Sequence, residues 1–140
     1  MHAYSMQEVE KMSKWEDLYQ AKLTTPEDVA AQVVSGDHVF ASGASSTPVA
    51  MLEAIFDRAI AKEFDDVLLG SFIMLANVFK VLSPEMQRHL LIDNYYASPL
   101  DRQALADGLM THTPYHFHRV TRQAVEDSGY RKLLVQAGPM

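Results

Sequence analysis

Apolar residues along this chain follow two rhythms, and their alternation predicts the order of its elements. The first is the three-to-four spacing of amphipathic helices. Met6, Val9, Met12 and Tyr19 fall near one face of residues 5–21, broadened by Trp15 and Leu18. Trp15 and Tyr19, one turn apart, are expected to anchor that helix by packing. A second helix is predicted from Thr25-Pro26-Glu27-Asp28, with Thr25 as N-cap, Pro26 at the first position and Asp28 at the capping-box position. Its apolar positions are Val29, Ala30, Val33 and Val34, and Ser35-Gly36 ends it. Over residues 48–61, Val49, Leu52, Ile55, Phe56, Ala59 and Ile60 form a wide stripe, as a helix packed on a sheet requires. Shorter helices are predicted after Ser98-Pro99, closed by Asp107-Gly108, and over residues 121–128, stopped by Gly129.

The second rhythm is short and near-continuously apolar. Residues 38–42, 66–71 (DVLLGS), 90–96 (LLIDNYY) and 132–137 (KLLVQA) read as strands, with residues 115–118 as a further short one. Runs of this kind belong to strands buried on both faces. Residues 72–82 hold room for a short helix before the turn at Ser83-Pro84-Glu85. Strands alternating with helices predict an α/β fold, a mostly parallel sheet with helices on both faces. The 140 residues make one domain, with no internal repeat, linker or low-complexity tract.

In such sheets ligands sit outside the carboxyl ends of the strands. Three predicted strands finish there in small, hydroxyl-bearing loops. The first is Gly43, Ala44, Ser45, Ser46 and Thr47; the others are Gly70-Ser71 and Ala97-Ser98. Thr47 suits the N-cap and Pro48 the first position of the following helix, so a strand, a small-residue loop and a helix N-terminus meet where an anion can face backbone N–H groups. A carboxylate or phosphate is the natural guest. The plain reading is that turns need small residues; convergence of three such loops on one edge favours a site.

Composition removes alternatives. With 48% hydrophobic and 21% charged residues, a net charge of −6 and no basic run, the chain has the make-up of an ordinary globular domain, and neither nucleic acid nor a membrane surface is an expected partner. It has no cysteine, hence no disulfide, thiolate metal site or cysteine nucleophile. The N-terminus lacks the apolar stretch of a signal peptide, so a cytoplasmic location is expected. His116 and His118 have a spacing that places two imidazoles on one face of a strand, but no third ligand stands nearby, and no metal is predicted. Arg119 and Arg122 form a pair suited to a carboxylate, or simply a solvated face. No Ser-His-Asp arrangement, P-loop or GxGxxG occurs, and no catalytic residue is assigned.

Several segments together resemble the N-terminal region of the acetyl-CoA hydrolase/transferase family, the acyl-CoA:carboxylate CoA-transferases. They are Trp15 through Thr25, Ser35-Gly-Asp-His-Val39 with the loop through Pro48, Arg102 through Gly108 with Thr113-Pro114, and Leu133-Leu-Val-Gln-Ala137. The resemblance implies a CoA-transferase-type α/β domain, shared with some sugar-phosphate isomerases. It implies a glutamate nucleophile in a C-terminal half that these residues do not include, a coenzyme A thioester as substrate with no permanently bound cofactor, and a short-chain carboxylate as acceptor. Gly43 to Thr47, Gly70, Ser71 and Ser98 would then form one wall of the acyl/carboxylate pocket. Asp93-Asn94-Tyr95-Tyr96 departs from the glycine-rich continuation of many members. The expectations that follow are an N-terminal piece of a larger enzyme, inactive alone and prone to homo-oligomerise. An acyl-CoA hydrolase and a non-catalytic binding module are the alternatives.

Overall fold

The computed structural model describes residues 6–74, 76–99, 101–122, 126 and 129–136, the side chains of residues 6–13 and 121 apart. Helix α1 spans Met6–Lys22 and α2 spans Pro26–Ala31. Strand β1 (His38–Ala41) leads through a 3₁₀ turn at Ala44–Ser46 into α3, Val49–Ile60. Strand β2 is Val67–Ser71 and β3 is Leu90–Asn94, with 3₁₀ turns at Val78–Val81 and Met86–Arg88 between them. Then come α4 (Asp101–Ala106), β4 (Thr111–His112), a 3₁₀ turn at Phe117–Arg119, α5 (Val120–Arg122) and β5 (Lys132–Leu134).

The five strands form one sheet in the order β4-β3-β2-β1-β5, every neighbouring pair parallel. Because side chains alternate across a sheet, the sheet carries a core on each face. Val39, Ala41, Val67, Leu69, Leu90 and Ile92 join Leu52, Ile55 and Phe56 of α3 and Ala104 of α4 on one face. The first three crossovers step outward from β1, and all contribute to that core. From β4 the chain must return across the whole sheet to reach β5, and the described part of that return, with Tyr115, Val120 and Tyr130, lies over the opposite face. There Phe40, Tyr95 and Tyr130 are buried, flanked by Leu68, Phe72, Tyr115 and Val120. The rings are offset or edge-on, Tyr95 and Tyr115 at 4.6 Å and 87°, the geometry their quadrupoles favour.

Helix α2 has six residues, too few to persist alone. Its capping box holds one end: Thr25 Oγ1 accepts from the Asp28 N–H at 3.1 Å and donates to the Asp28 carboxylate at 2.9 Å. Arg58 of α3 holds the other, donating to the carbonyls of Ala30 and Val33 while its guanidinium lies 5.4 Å from the centre of the Phe64 ring.

Four expectations are corrected. Trp15 and Tyr19 are not packing anchors; they are 61% and 62% exposed, and every side chain of α1 from Lys14 onward is exposed. Thr47 does not cap α3: the intervening 3₁₀ turn captures its hydroxyl, which donates to the Ala44 carbonyl at 2.7 Å, and Pro48 takes the N-cap position. Residues 115–118 are not a strand. The chain after Pro114 turns into 3₁₀ conformation, and the fourth strand is the preceding Thr111–His112. Val34 is exposed, because α2 ends at Ala31. The helix predicted over 121–128 falls largely outside the described residues.

Candidate functional site

Pairing places the ends of β1, β2 and β3 side by side. Phe40 is level with Gly70, Gly70 with Asp93, and Ser71 with Asn94. The loops after these strands therefore share one edge, as the sequence predicts, and the first two interlock. A Cβ on Gly43 would stand 1.5 Å from the Phe72 carbonyl oxygen, so only glycine allows that approach. The Ala44 N–H donates to the Ile73 carbonyl at 2.9 Å. Both residues hold positive φ, 50° at Ala44 and 45° at Ile73. For a β-branched residue such as Ile73 that conformation is strained.

The loop is braced rather than open. The N–H groups of Ser46 and Thr47 donate to the carbonyls of Gly43 and Ala44, and the Ser42 hydroxyl donates to the Ser46 carbonyl. Its amides are thus largely used within the backbone, and Ser45 is the residue it exposes. Beside it Ser71 is 1% exposed, and its hydroxyl has no hydrogen-bond partner among the described residues. Ser98 stands in a different role. Its N–H donates to the Asp101 carboxylate at 2.8 Å, which also accepts from Asn94 Nδ2 at 2.8 Å, so β3, Ser98 and the start of α4 are tied together.

Gly70 meets Tyr130 instead of open space: a Cβ there would lie 2.4 Å from the Tyr130 hydroxyl. Burial first, then the hydrogen bond with Tyr95, pushes the Tyr130 phenol well above its ordinary range. Near it Asp93 is buried and accepts from the hydroxyls of Thr111 at 2.8 Å and Thr113 at 3.0 Å. This tyrosine–aspartate cluster fixes the returning segment over the sheet; no sequence pattern announces it, since its members are spread from Asp93 to Tyr130.

A cleft of about 400 Å³ lies on the same face along β1 and β5. Phe40, Phe72, Phe117, Val120, Leu133 and Val135 line it, with Ser42 at one end and Arg131 and Lys132 at the other. Connections leave β1 and reach β5 over opposite faces of the sheet, which makes this pair the point where open α/β sheets form their binding crevice. The two histidines are brought together: His116 and His118 stack at 5.7 Å, and no cluster of three ligating side chains occurs among the described residues. Arg122 pairs with Glu126, not with Arg119 in a clamp. No helix among the described residues is long and apolar enough to cross a membrane.

Known proteins give this geometry a context. The solved structure of RipA from Yersinia pestis matches with a TM-score of 0.73 and 26% identity, over 89% of this chain and 31% of that one. A RipA structure with a single Met-to-Gly substitution matches with a TM-score of 0.76 and 26% identity, over 89% and 30%. The chain thus spans about a third of the length of these solved proteins. No curated protein matches it in sequence. The family model described as the acetyl-CoA hydrolase/transferase N-terminal domain matches residues 6–137. The all-parallel sheet with its interlocked loops is therefore that domain, and the chain belongs to the acetyl-CoA hydrolase/transferase family.

Proposed function

We propose that this chain is the N-terminal part of an acyl-CoA:carboxylate CoA-transferase and supplies one wall of its acyl/carboxylate pocket. The observation that carries the reading is the meeting of the Gly43–Thr47 loop with the end of β2, where strained backbone lies beside the Ser71 hydroxyl, which has no partner among the described residues. Strain of about 1–3 kcal/mol per residue persists only where surrounding structure enforces it, and it gathers at ligand sites. Ser45, Ser46 and Ser71 would face the substrate. Gly43 and Thr47 would hold the loop, and Ser98 would hold the neighbouring one. Gly70 would act indirectly, as the seat of Tyr130.

The chemistry would be covalent and supplied from the rest of the enzyme. A glutamate attacks the acyl-CoA thioester and expels CoA thiolate, leaving an acyl-glutamyl anhydride. The thiolate then attacks the glutamyl carbonyl and releases the acyl carboxylate, leaving a glutamyl-CoA thioester. An acceptor carboxylate reverses these steps and leaves with the CoA. The domain described here would position the acyl group and the departing and arriving carboxylates. It binds no permanent cofactor in this reading, and its partners are acyl-CoA, a carboxylate, the C-terminal half and further copies of the same chain.

The test uses the product of the gene as its native cell makes it. Its intact mass is measured, and it is then offered butyryl-CoA with and without acetate. Acetyl-CoA formed with ping-pong kinetics, and a trapped glutamyl-CoA adduct, are expected. Free CoA released at the same rate without acetate would make it a hydrolase. A product of 15.7 kDa that binds carboxylates but transfers nothing would make it a binding module.

A further inference from the structure

We propose that the cleft between β1 and β5 receives the hydrocarbon tail of the acyl group, so that this protein favours an acid with a chain longer than acetyl. The inference rests on the pocket reading above and names the substrate class for it. Two residues join the cleft to the loop. The Ser42 side chain lines the cleft, and its hydroxyl holds the Ser46 carbonyl. Phe72 lines the cleft as well, and its own carbonyl is the group packed against Gly43. A carboxyl carbon held at the loop would thus have its chain directed onto Phe40, Phe72 and Val120.

Size and polarity agree with a tail and not with a second anion. A volume of about 400 Å³ lies within the range of small-ligand sites. From Val135 back to Arg131 the cleft follows β5 for roughly 13 Å at the usual rise per residue. Its cations sit at the end away from Ser42, and they are not arranged for binding there. The Lys132 ammonium is held by Asp37 and the Gln32 carbonyl, and Arg131 is exposed to solvent. Between the two ends the lining is aromatic and aliphatic, which rewards each methylene it takes from water.

The probes are sodium acetate, butyrate, hexanoate and octanoate, titrated into the purified 140-residue chain and followed by amide chemical shifts. Affinity should rise about fourfold per added methylene, with the shifts centred on Val120, Leu133 and Val135. Leu133→Asp, on a residue 59% exposed, should flatten that gradient without moving the unfolding midpoint. If it unfolds the chain, Phe117→Ala, on a residue 77% exposed, gives the same reading. Equal affinity across the series overturns the inference. So does a gradient that survives both substitutions, or shifts confined to the hollow beside Tyr19 and Leu23. Chain-length-dependent binding by a native product that transfers no CoA would refute the enzyme and keep the cleft; transfer with no chain-length gradient would do the opposite.

Discussion

Gly70 can carry no side chain, because the place of its Cβ is taken by Tyr130. The would-be Cβ lies 2.4 Å from the hydroxyl and 2.6 Å from ring atom Cζ. Neither can retreat: the ring sits against Phe40 and Tyr95, and the hydroxyl lies within that buried cluster. Gly70→Ala should therefore lower the unfolding free energy by about 1–3 kcal/mol, the usual cost of overpacking. Urea midpoints at unchanged slope would measure it. Tyr130→Leu added to Gly70→Ala should recover part of the loss, whereas Tyr130→Phe should not, since Cζ is itself in the way. A Gly70→Ala chain as stable as the original would show that the ring does not rest on β2. At this scale a small residue after a strand is legible as a site candidate, but the sequence does not say whether the space serves a ligand or a distant ring.

Strand β5 is three residues long and lies at the sheet's edge, so it depends on its attachments. Lys132 supplies the main one, donating to the Asp37 carboxylate and the Gln32 carbonyl. Burial pushes the Asp37 carboxyl up, but hydrogen bonds from Lys132 and the Val34 N–H, with the charges of Lys132 and Arg131, outweigh it and leave the pKa below 3.8. A carboxyl lowered on folding adds stability above its unfolded pKa and loses it as pH falls through the folded one. Lys132→Met should thus lose about 1.5–3 kcal/mol at pH 7, and its deficit should shrink as the pH falls below 3.8. Denaturant titrations at pH 7 and pH 3 would show it; a constant gap at both would mean that the Gln32 carbonyl, not Asp37, holds the lysine. Elements whose burial is written into adjacent residues were legible: the apolar runs of β1, β2, β3 and β5, the stripe of α3 and the Thr25–Asp28 box of α2. Strand β4 was not, because Thr111 and His112 are both exposed and offer no apolar signal. The Tyr115–His118 alternation imitates a strand because Tyr115 packs on Tyr95 from a turn.

At the scale of the molecule, the edge carrying the loops was legible, because an all-parallel sheet brings strand ends together whatever the loops contain. The cleft was not, because its walls come from residues as far apart as Phe40 and Val135 and meet only after the chain has recrossed the sheet. From Lys14 onward helix α1 presents the opposite case, an apolar pattern left exposed. Trp15, Leu18, Tyr19 and Leu23 are all at least 40% exposed, and Tyr19 and Leu23 border a hollow shared with α2, the start of α3 and Val135. A helix whose described side chains are all exposed contributes little to the stability of the sheet it precedes, whereas an exposed apolar stripe favours association. A chain lacking residues 1–22 should therefore keep its thermal midpoint within about 2 °C, the shift expected for about 0.5 kcal/mol. Sedimentation should show it associating less than the intact chain at the same concentration. Trp15 is the single tryptophan, so its quenching by acrylamide should fall as the intact chain is concentrated. A truncated chain that melts much earlier would place α1 in the fold's own core; one that associates as strongly as the intact chain would move the contact to Leu133 and Val135 at the edge of β5.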